Sequence, residues 1–373
     1  MKTIFNFIMV LIVLSLVIAG GGFLYKQNTQ SKYKKAVGLY EAGKYEESLK
    51  LFDSLMKLSI INPHKTDTLY YHAILTSKSQ PDVSLNDWQA LLKNNVSDDI
   101  RAEGLFNIGK IYFEKGNIED SKEKFNEVIE NYTKCAVPVA KSMFYFGKIS
   151  QAKGLEEFPA ARQWYEKAIN TGIDDPIVDE ILDNLSEVNT SLLFSPIETP
   201  ESQMYRIRPG DSLANIAAKF NTTIELIKES NRMEANYIRP NDLIKVPTAK
   251  FSIMISKKLN TLTLYANGHF FKRYRVGTGK YNKTPEGTFK IINKLKEPVW
   301  YKPDGGIIPF GEKGNLLGTR WMGISFPGYG IHGTWEPDTI GYQSSAGCVR
   351  LLNDQVEELY KIVPIGTEVV ITG

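Results

Sequence analysis

Two residues near the end of this 373-residue chain could together do nucleophilic chemistry: Cys348 and, 16 residues before it, His332, in IHGTWEPDTIGYQSSAGCVRL (331–351). A cysteine is a useful nucleophile only as its thiolate, and its usual pKa of about 8.5 leaves few thiolates at neutral pH, so activation needs a nearby base. The remaining histidines lie far from Cys348 along the chain: His64, His72 and His269. His332 is therefore the candidate base, and two neighbouring strands joined by a loop would bring its imidazole within hydrogen-bond reach of the sulfur.

The residues around Cys348 favour such a site without deciding it. Residues 345–347 are small, which lets a substrate carbonyl approach closely, and the backbone N–H groups of Gly347 and Cys348 could face a developing oxyanion. If the chain is extended there, Arg350 shares the face of Cys348 and could bind a substrate carboxylate with two hydrogen bonds. The alternative is a tight turn that contains a buried structural cysteine. Residue types and spacing alone leave both interpretations open.

Composition excludes several other classes of protein. The 45 basic and 42 acidic residues give a formal net charge of +3, so no overall basic field predicts nucleic-acid binding. Cys135 and Cys348 lie more than two hundred residues apart, which is neither a disulfide framework nor a zinc pattern. We expect no metal and no cofactor.

The first 26 residues predict a membrane anchor or a signal segment. Residues 4–25 are almost wholly apolar, and about 20 apolar residues suffice to span a bilayer. An anchor is favoured because the apolar run resumes after the glycines at 20–22, whereas residues 17–19 could instead form a signal-peptidase site. Lysines after the span by themselves favour a cytoplasmic C-terminal side. The family resemblances of the later segments, given below, imply the opposite, extracytoplasmic side.

Residues 30–190 predict helices in pairs. Small and aromatic residues at helical spacing alternate with turn glycines at Gly43, Gly116 and Gly154, and a weaker unit is expected near 66–96. This pattern resembles tetratricopeptide repeats, helix-turn-helix units that stack into a solenoid. A concave surface for a protein partner is one interpretation of this pattern, and packing of the aromatic residues between repeats is the other; no residue identifies a partner.

A linker is predicted over 191–203, where SPIETPES (195–202) has two prolines and no periodicity.

Residues 204–248 follow with an alternating strand, a helix from Ser212, a second helix signalled by Thr222 three residues before Glu225, and a closing strand. The segments PGDSL, IA..F, I...N and L.VP resemble the LysM module, a small strand-helix-helix-strand unit that binds peptidoglycan. Asn241 stands where members usually have Gly, and because Asn tolerates positive φ the turn should survive. A small domain without sugar affinity is the alternative.

Residues 249–373 predict a mainly β domain. Two alternating runs meet at Asn267-Gly268, which is a strong hairpin signal, and one helix is expected from Asp354, shortly after Cys348. The predicted fold class is therefore multidomain: an α-helical solenoid, a small α+β module and a mainly β C-terminal domain.

The opening segment also resembles a known signature. IHGT followed by SSAGCVRL is similar to the motif of the YkuD-type L,D-transpeptidase catalytic domain, and residues 261–291 and 315–324 resemble its upstream segments. The resemblance implies that Cys348 is the nucleophile and His332 the base. Gly333 stands where some members have Ser, so backbone carbonyls must orient the imidazole. Ala346 replaces a His that is common in the family, which leaves His332 as the only candidate base.

The resemblance implies acyl transfer on peptidoglycan. Cys348 would form a thioester with a tetrapeptide stem, release its terminal D-Ala, and pass the acyl group to a second stem to form a 3-3 cross-link. Water as the acceptor would make the protein an L,D-carboxypeptidase, and a protein lysine would make it a protein-to-peptidoglycan ligase. A catalytically silent peptidoglycan-bound scaffold is the alternative of another class. The candidate substrate-binding residues are Arg350, Arg320, Gly333, Ser345, Trp335 and Tyr342, of which the last two could equally pack within their loop.

Overall fold

A computed structural model describes residues 25–58, 62–302 and 305–373, and it divides into two compact units, residues 1–146 and 147–373. The predicted membrane segment lies outside the described residues except for Tyr25. Among the described residues, every helix is too short or too polar to cross a membrane.

The first unit consists of helices that pack in consecutive pairs. They are α1, which ends at residue 41, α2 (Tyr45–Met56), α3 (Lys65–Thr76), α4 (Pro81–Leu92), α5 (Asp98–Glu114), α6 (Ile118–Asn131) and α7 (Ala136–Gln151), whose last turn belongs to the second unit. The pair α3 and α4 is the weaker repeat expected near 66–96. Gly43 and Gly116 have φ values of 72° and 80°, a left-handed conformation that suits glycine, which confirms them as turn residues.

The second unit begins with two more helices, α8 (Phe158–Ile169) and α9 (Ile177–Leu193). The LysM-like module follows as β1 (Ser202–Arg206), α10 (Leu213–Lys219), α11 (Ile224–Ser230) and β2 (Leu243–Pro247), and its two strands pair antiparallel. Thr223 rather than Thr222 caps α11, because it is the Thr223 hydroxyl that accepts a hydrogen bond from the Leu226 amide, at 2.9 Å. Asn241 has a φ of 76°, as expected for the glycine-like turn.

The C-terminal domain is mainly β, as predicted. Its elements are β3 (Phe251–Ser256), β4 (Thr261–Ala266), β5 (His269–Arg275), β6 (Thr278–Gly279), β7 (Gly287–Lys296), β8 (Trp300–Tyr301), β9 (Ile307–Ile308), β10 (Arg320–Ile324), β11 (Gly330–His332), β12 (Gln343–Ser345), β13 (Val349–Arg350), α12 (Asn353–Ile362) and β14 (Glu368–Thr372). Eight strands form one sheet in the order β13-β11-β10-β7-β14-β3-β4-β5, while β12 pairs with β6 and β8 with β9. Asn267 and Gly268 both have positive φ, which confirms the predicted hairpin.

One face of this sheet is covered by α12. Met322 on β10, Ile331 on β11 and Val349 on the edge strand β13 are buried in the same apolar cluster as Val356 and Leu359 of the helix. Because side chains alternate along a strand, the neighbours of these residues in sequence point to the other face. That other face carries the candidate site.

The first three residues of the linker predicted over 191–203 lie in a helix, and contacts with the LysM-like module hold the segment. Residues 191–193 belong to α9, and Leu193 is buried in the apolar core of the C-terminal domain together with Leu226 of the LysM-like module. Lys245 of β2 is fully buried, and its ammonium donates to the carbonyls of Leu192, at 2.7 Å, and Ser195, at 2.9 Å. Two backbone carbonyls of the predicted linker are thus bound by the LysM-like module.

An ion pair also links helix α8 to the segment just before β1. The guanidinium of Arg162 in α8 binds both carboxylate oxygens of Glu201, and both residues are largely buried. The Glu201 carbonyl accepts hydrogen bonds from the amides of Thr248 and Ala249. Helix α9, the LysM-like module and the sheet are therefore fixed to one another.

Candidate active site

Two short neighbouring strands position the candidate nucleophile and base. β11 and β13 pair in parallel, with His332 beside Arg350. Cys348 directly precedes β13, so extending this register by one residue places it beside Gly330. Residues paired across a ladder point to the same face, and so do alternate residues of one strand. His332 and Arg350 therefore lie on one face of the sheet. Cys348 lies in the bend just before β13, and its alternation with Arg350 would place its side chain on the same face, as predicted.

The imidazole of His332 is held by the backbone. Its Nδ1 lies 2.6 Å from the carbonyl oxygen of Gly333 and, as donor to that oxygen, leaves Nε2 as the basic nitrogen. This is the backbone orientation expected from the missing side chain at Gly333. The pKa of His332 is lowered to about 4, mainly by burial and also by the charge of Arg350, against the opposing effect of the carbonyls of Gly333 and Leu317. At neutral pH the ring is therefore uncharged and able to accept a proton.

The Cys348 thiol is partly exposed, and its sulfur lies 3.8 Å from the carbonyl oxygen of Gly328. Burial raises the pKa of the thiol above its usual value, although a backbone contact with Gly330 and the charge of Arg350 oppose this shift. The resting site therefore holds a neutral thiol and a neutral imidazole.

A buried serine shapes the turn before the nucleophile. The Ser345 hydroxyl accepts a hydrogen bond of 3.0 Å from the Gly347 amide and donates one of 2.6 Å to the Cys348 carbonyl. Gly347 has a φ of 147°, and a Cβ there would lie 2.5 Å from the ring of Tyr329, so only glycine fits. Because its amide is bound to Ser345, Gly347 does not offer the oxyanion donor that was predicted for it. Ser345 itself serves the turn.

The turn is also tied to the loop before β7. The Thr284 hydroxyl donates to the Gly347 carbonyl at 2.8 Å and accepts from the Gly279 amide at 2.8 Å. Thr284 is 1% exposed, so this bridge is shielded from water. One buried threonine thus fixes the backbone next to Cys348.

Arg350 already has a carboxylate partner. Its Nη1 lies 3.0 Å from the Glu336 carboxylate, and its side chain is 8% exposed. The prediction that Arg350 binds a substrate carboxylate with two hydrogen bonds therefore needs correction, because a carboxylate of the chain occupies that position. Its charge acts on the site instead, by lowering the pKa of both Cys348 and His332.

Three family models match the chain. That of the L,D-transpeptidase catalytic domain matches residues 250–371, that of the LysM domain residues 205–247, and that of a tetratricopeptide repeat residues 103–134. The protein named L,D-transpeptidase YkuD in Bacillus licheniformis is 36% identical over 177 residues, which cover 98% of that protein and 45% of this chain. The chain belongs to the YkuD family of L,D-transpeptidases.

The protein of the same name in Bacillus subtilis is 36% identical to this L,D-transpeptidase family member over 174 residues, with 97% of that protein and 45% of this chain covered. The solved catalytic domain of an E. faecium L,D-transpeptidase is 25% identical, with a TM-score of 0.28, and the match covers 95% of that domain and 32% of this chain. The two Bacillus proteins thus correspond to less than half of this chain.

Arg320 of this L,D-transpeptidase domain lies away from the candidate site. It neighbours Trp321 on β10, whose partner across the ladder is His332, so alternation turns Arg320 to the opposite face. There its guanidinium lies 3.6 Å from the Glu357 carboxylate and above the ring of Tyr360, both in α12. Sequence alone did not give the face of this strand, and the predicted substrate-binding role of Arg320 is wrong.

Trp335 and Tyr342 lie on the loop between β11 and β12 and are about half exposed. The ring of Trp335 is 6.2 Å from that of Phe310, and both border a cavity of about 590 Å³ that also contacts Glu336. The Arg275 guanidinium lies 6.0 Å from the ring of Tyr342. Their contact with substrate remains a prediction.

Residues that position the site were missed where their role depends on tertiary contacts. Thr284 lies in an upstream segment that resembles the family, so the sequence offered a signal for it. Glu336 had none. The described residues contain no group of three or more histidine, cysteine or acidic side chains that could hold a metal ion.

Proposed function

We propose that this protein is a peptidoglycan L,D-transpeptidase in which Cys348 is the nucleophile and His332 the general base. The observation that carries the proposal is the parallel pairing of β11 with β13, which brings the chain at Cys348 beside the strand of His332, while the Gly333 carbonyl holds Nδ1 of the ring. A nucleophile, a base and a group that orients the base are the parts that nucleophilic acyl transfer requires.

The first half-reaction releases D-Ala. Nε2 of His332 takes the thiol proton as the Cys348 sulfur attacks the carbonyl carbon that precedes the terminal D-Ala of a tetrapeptide stem. The Cys348 amide donates to the resulting oxyanion. Collapse breaks the carbon–nitrogen bond, and the leaving amine receives the proton from His332, which leaves a thioester.

The second half-reaction decides the product. A side-chain amine of another stem attacks the thioester carbon, its proton passes to His332 and then to the sulfur, and a 3-3 cross-link forms. Water in place of the amine gives L,D-carboxypeptidase activity, and a protein lysine gives ligation of that protein to peptidoglycan.

The charge state of the resting site favours general-base catalysis over a preformed ion pair. Burial raises the pKa of the Cys348 thiol and lowers that of His332, so a thiolate beside an imidazolium is disfavoured before substrate binds. Proton transfer should therefore accompany the attack on the carbonyl.

The neighbouring modules support a place at the cell wall. A LysM domain implies binding to peptidoglycan, so we propose that the protein works extracytoplasmically. We also propose that residues 4–25 anchor it in the cytoplasmic membrane and that the tetratricopeptide-like helices bind a protein partner. A silent scaffold is disfavoured because nucleophile and base are both retained on one face.

The test uses the full chain and a defined disaccharide tetrapeptide, with products identified by mass spectrometry. We expect D-Ala release and a cross-linked dimer, both lost in Cys348→Ala and retained in the matched control Cys135→Ala. Hydrolysed tripeptide without dimer would assign the carboxypeptidase reaction. Unchanged products in Cys348→Ala would overturn the enzyme proposal.

A further inference from the structure

The indole of Trp321 lies against the imidazole of His332, on the face of the sheet that carries Cys348. The two residues are direct partners across β10 and β11. Their ring centroids are 5.8 Å apart and their planes are inclined by 22°, a stacked arrangement. Such cross-strand ring contacts restrict the orientation of both side chains.

Asn293 on β7 fixes the indole. Its Oδ1 accepts a hydrogen bond of 3.1 Å from Nε1 of Trp321 and one of 3.2 Å from the Gly323 amide. One acceptor thus binds both the ring and the strand that carries it. The contact runs from Asn293 through Trp321 to His332 and crosses three neighbouring strands, β7, β10 and β11.

Two glycines provide the space for this arrangement. A Cβ at Gly323 would lie 2.6 Å from Oδ1 of Asn293, and a Cβ at Gly330 would lie 2.7 Å from Cζ2 of Trp321. Gly330 is the residue beside Cys348 in the extended β11–β13 register. The indole therefore reaches the strand next to the nucleophile.

We propose that Trp321, held by Asn293, is a positioning residue for His332. The indole covers one side of the imidazole, keeps water from it, and holds the ring so that Nδ1 donates to the Gly333 carbonyl and Nε2 is presented to the thiol. The proposal rests on the proposed role of His332 as the base. It adds a group that sets the orientation and protonation of that base without itself contacting substrate.

The surrounding charges support this role. The charged side chain that acts on the pKa of His332 is Arg350, which is paired with Glu336, while the thiol of Cys348 is neutral at rest. Neither a resting thiol nor a guanidinium stabilises an imidazolium, and burial is the main cause that lowers the pKa of His332. Removing the indole admits water to the ring and should raise that pKa.

The test compares Trp321→Ala, Trp321→Phe and Asn293→Ala in the full chain. Trp164→Ala, which removes an indole from α8, is the matched control. The first readout is the NMR titration of histidine labelled at Cε1, with the His332 signal assigned from His332→Gln. The second is the pH dependence of Cys348 acylation by a carbapenem, followed by mass spectrometry.

In Trp321→Ala we expect the His332 titration and the acid limb of acylation to move up together, by about one pH unit. Asn293→Ala should shift both in the same direction by less, and Trp321→Phe and the control should stay near wild type. A folded Trp321→Ala protein with an unmoved titration would overturn the proposal. If that variant does not fold, an unmoved titration in Asn293→Ala does so instead.

The two proposals fail separately. Undiminished acylation in His332→Gln would remove the base assignment and hence the proposed mechanism. A His332 titration unaffected by Trp321, with acylation still lost in His332→Gln, would leave the mechanism standing and remove only the positioning role.

Discussion

The carboxylate of Glu336 lies 3.0 Å from Nη1 of Arg350, whose backbone lies beside that of His332 in the β11–β13 pair. A largely buried guanidinium next to a thiol favours the thiolate, because the positive charge stabilises the negative form. Glu336 offsets part of that charge. The ion pair therefore tunes the nucleophile through its net charge as well as holding the loop after His332.

Glu336→Gln should make Cys348 more reactive. Loss of the carboxylate leaves the charge of Arg350 less compensated, so the pKa of the thiol should fall and alkylation by iodoacetamide at pH 7 to 8 should accelerate several-fold. Because Glu336 is half exposed, the cost in unfolding free energy should be only about 1 kcal/mol. Asp338→Asn, which removes a carboxylate from the same loop, is the control. Equal alkylation rates in both variants would contradict the tuning role.

Gly333→Ser should disturb the base, since a Cβ at Gly333 would overlap Oδ1 of Asn353. The backbone whose carbonyl holds His332 must then move, and we expect carbapenem acylation to slow by tenfold or more. Asn353→Gly should partly rescue the serine variant, although alone it loses a 3.2 Å bond from the Thr319 amide, worth about 1 kcal/mol. Strictly additive effects in this double-mutant cycle would show that the two positions are not coupled.

His332 should make stability depend on pH below neutrality. Its pKa is about 4 in the folded protein against 6.5 for an ordinary histidine, so between those values the unfolded chain binds the extra proton. The free energy of unfolding should therefore fall by up to about 3 kcal/mol as the pH drops from 6.5 to 4. Urea titrations of wild type and His332→Gln isolate this contribution by difference. Parallel curves for the two proteins would contradict the lowered pKa.

The same pKa predicts that acylation persists in mild acid. Nε2 remains unprotonated down to about pH 4, so carbapenem acylation of wild type should lose little of its His332-dependent rate between pH 7 and pH 5. The rate is measured by mass spectrometry across that range, with intact fold checked by circular dichroism. An acid limb centred near pH 6.5 would mean that the ring is hydrated rather than shielded.

Lys245→Met should weaken the contact between the LysM-like module and the chain at the end of α9. Methionine fills a similar volume but leaves the carbonyls of Leu192 and Ser195 without the ammonium that binds them, at a cost of about 1–3 kcal/mol. We expect faster proteolysis within residues 195–202, mapped by mass spectrometry, whereas Lys250→Met at an exposed position should leave it unchanged. Equal cleavage rates would argue against the buried lysine as a clamp.

Local patterns predicted the elements of this protein better than their faces and contacts. The Asn267-Gly268 hairpin, the helix after Cys348 and the paired helices all follow from turn residues and hydrophobic spacing. Arg320 was predicted to bind substrate, but alternation along a strand gives two faces without saying which one is covered by α12. The capping residue Thr223 was missed by one position, since Thr222 offered the same chemistry.

At the candidate site, too, residues within the motif could be predicted, whereas contacts between separate segments could not. Cys348, His332 and the backbone support of the imidazole could be predicted because the motif contains them and Gly333 removes the alternative. Glu336 as the partner of Arg350, and the use of the Gly347 amide by Ser345, depend on how separate segments meet. No spacing along the chain encodes those contacts.

The contacts of Lys245 with the end of α9 also bear on the distance between the LysM-like module and the candidate active site. Since Leu226 of the LysM-like module is buried in the core of the sheet, a sugar bound by that module would lie at a separation from the sulfur of Cys348 that is fixed by the protein and not by a flexible tether. Stem peptides project from a glycan at regular intervals, so under the proposed function only those at a matching interval from the bound sugar would reach the thiol. The periodicity of the polymer would then determine which stems along one strand are joined.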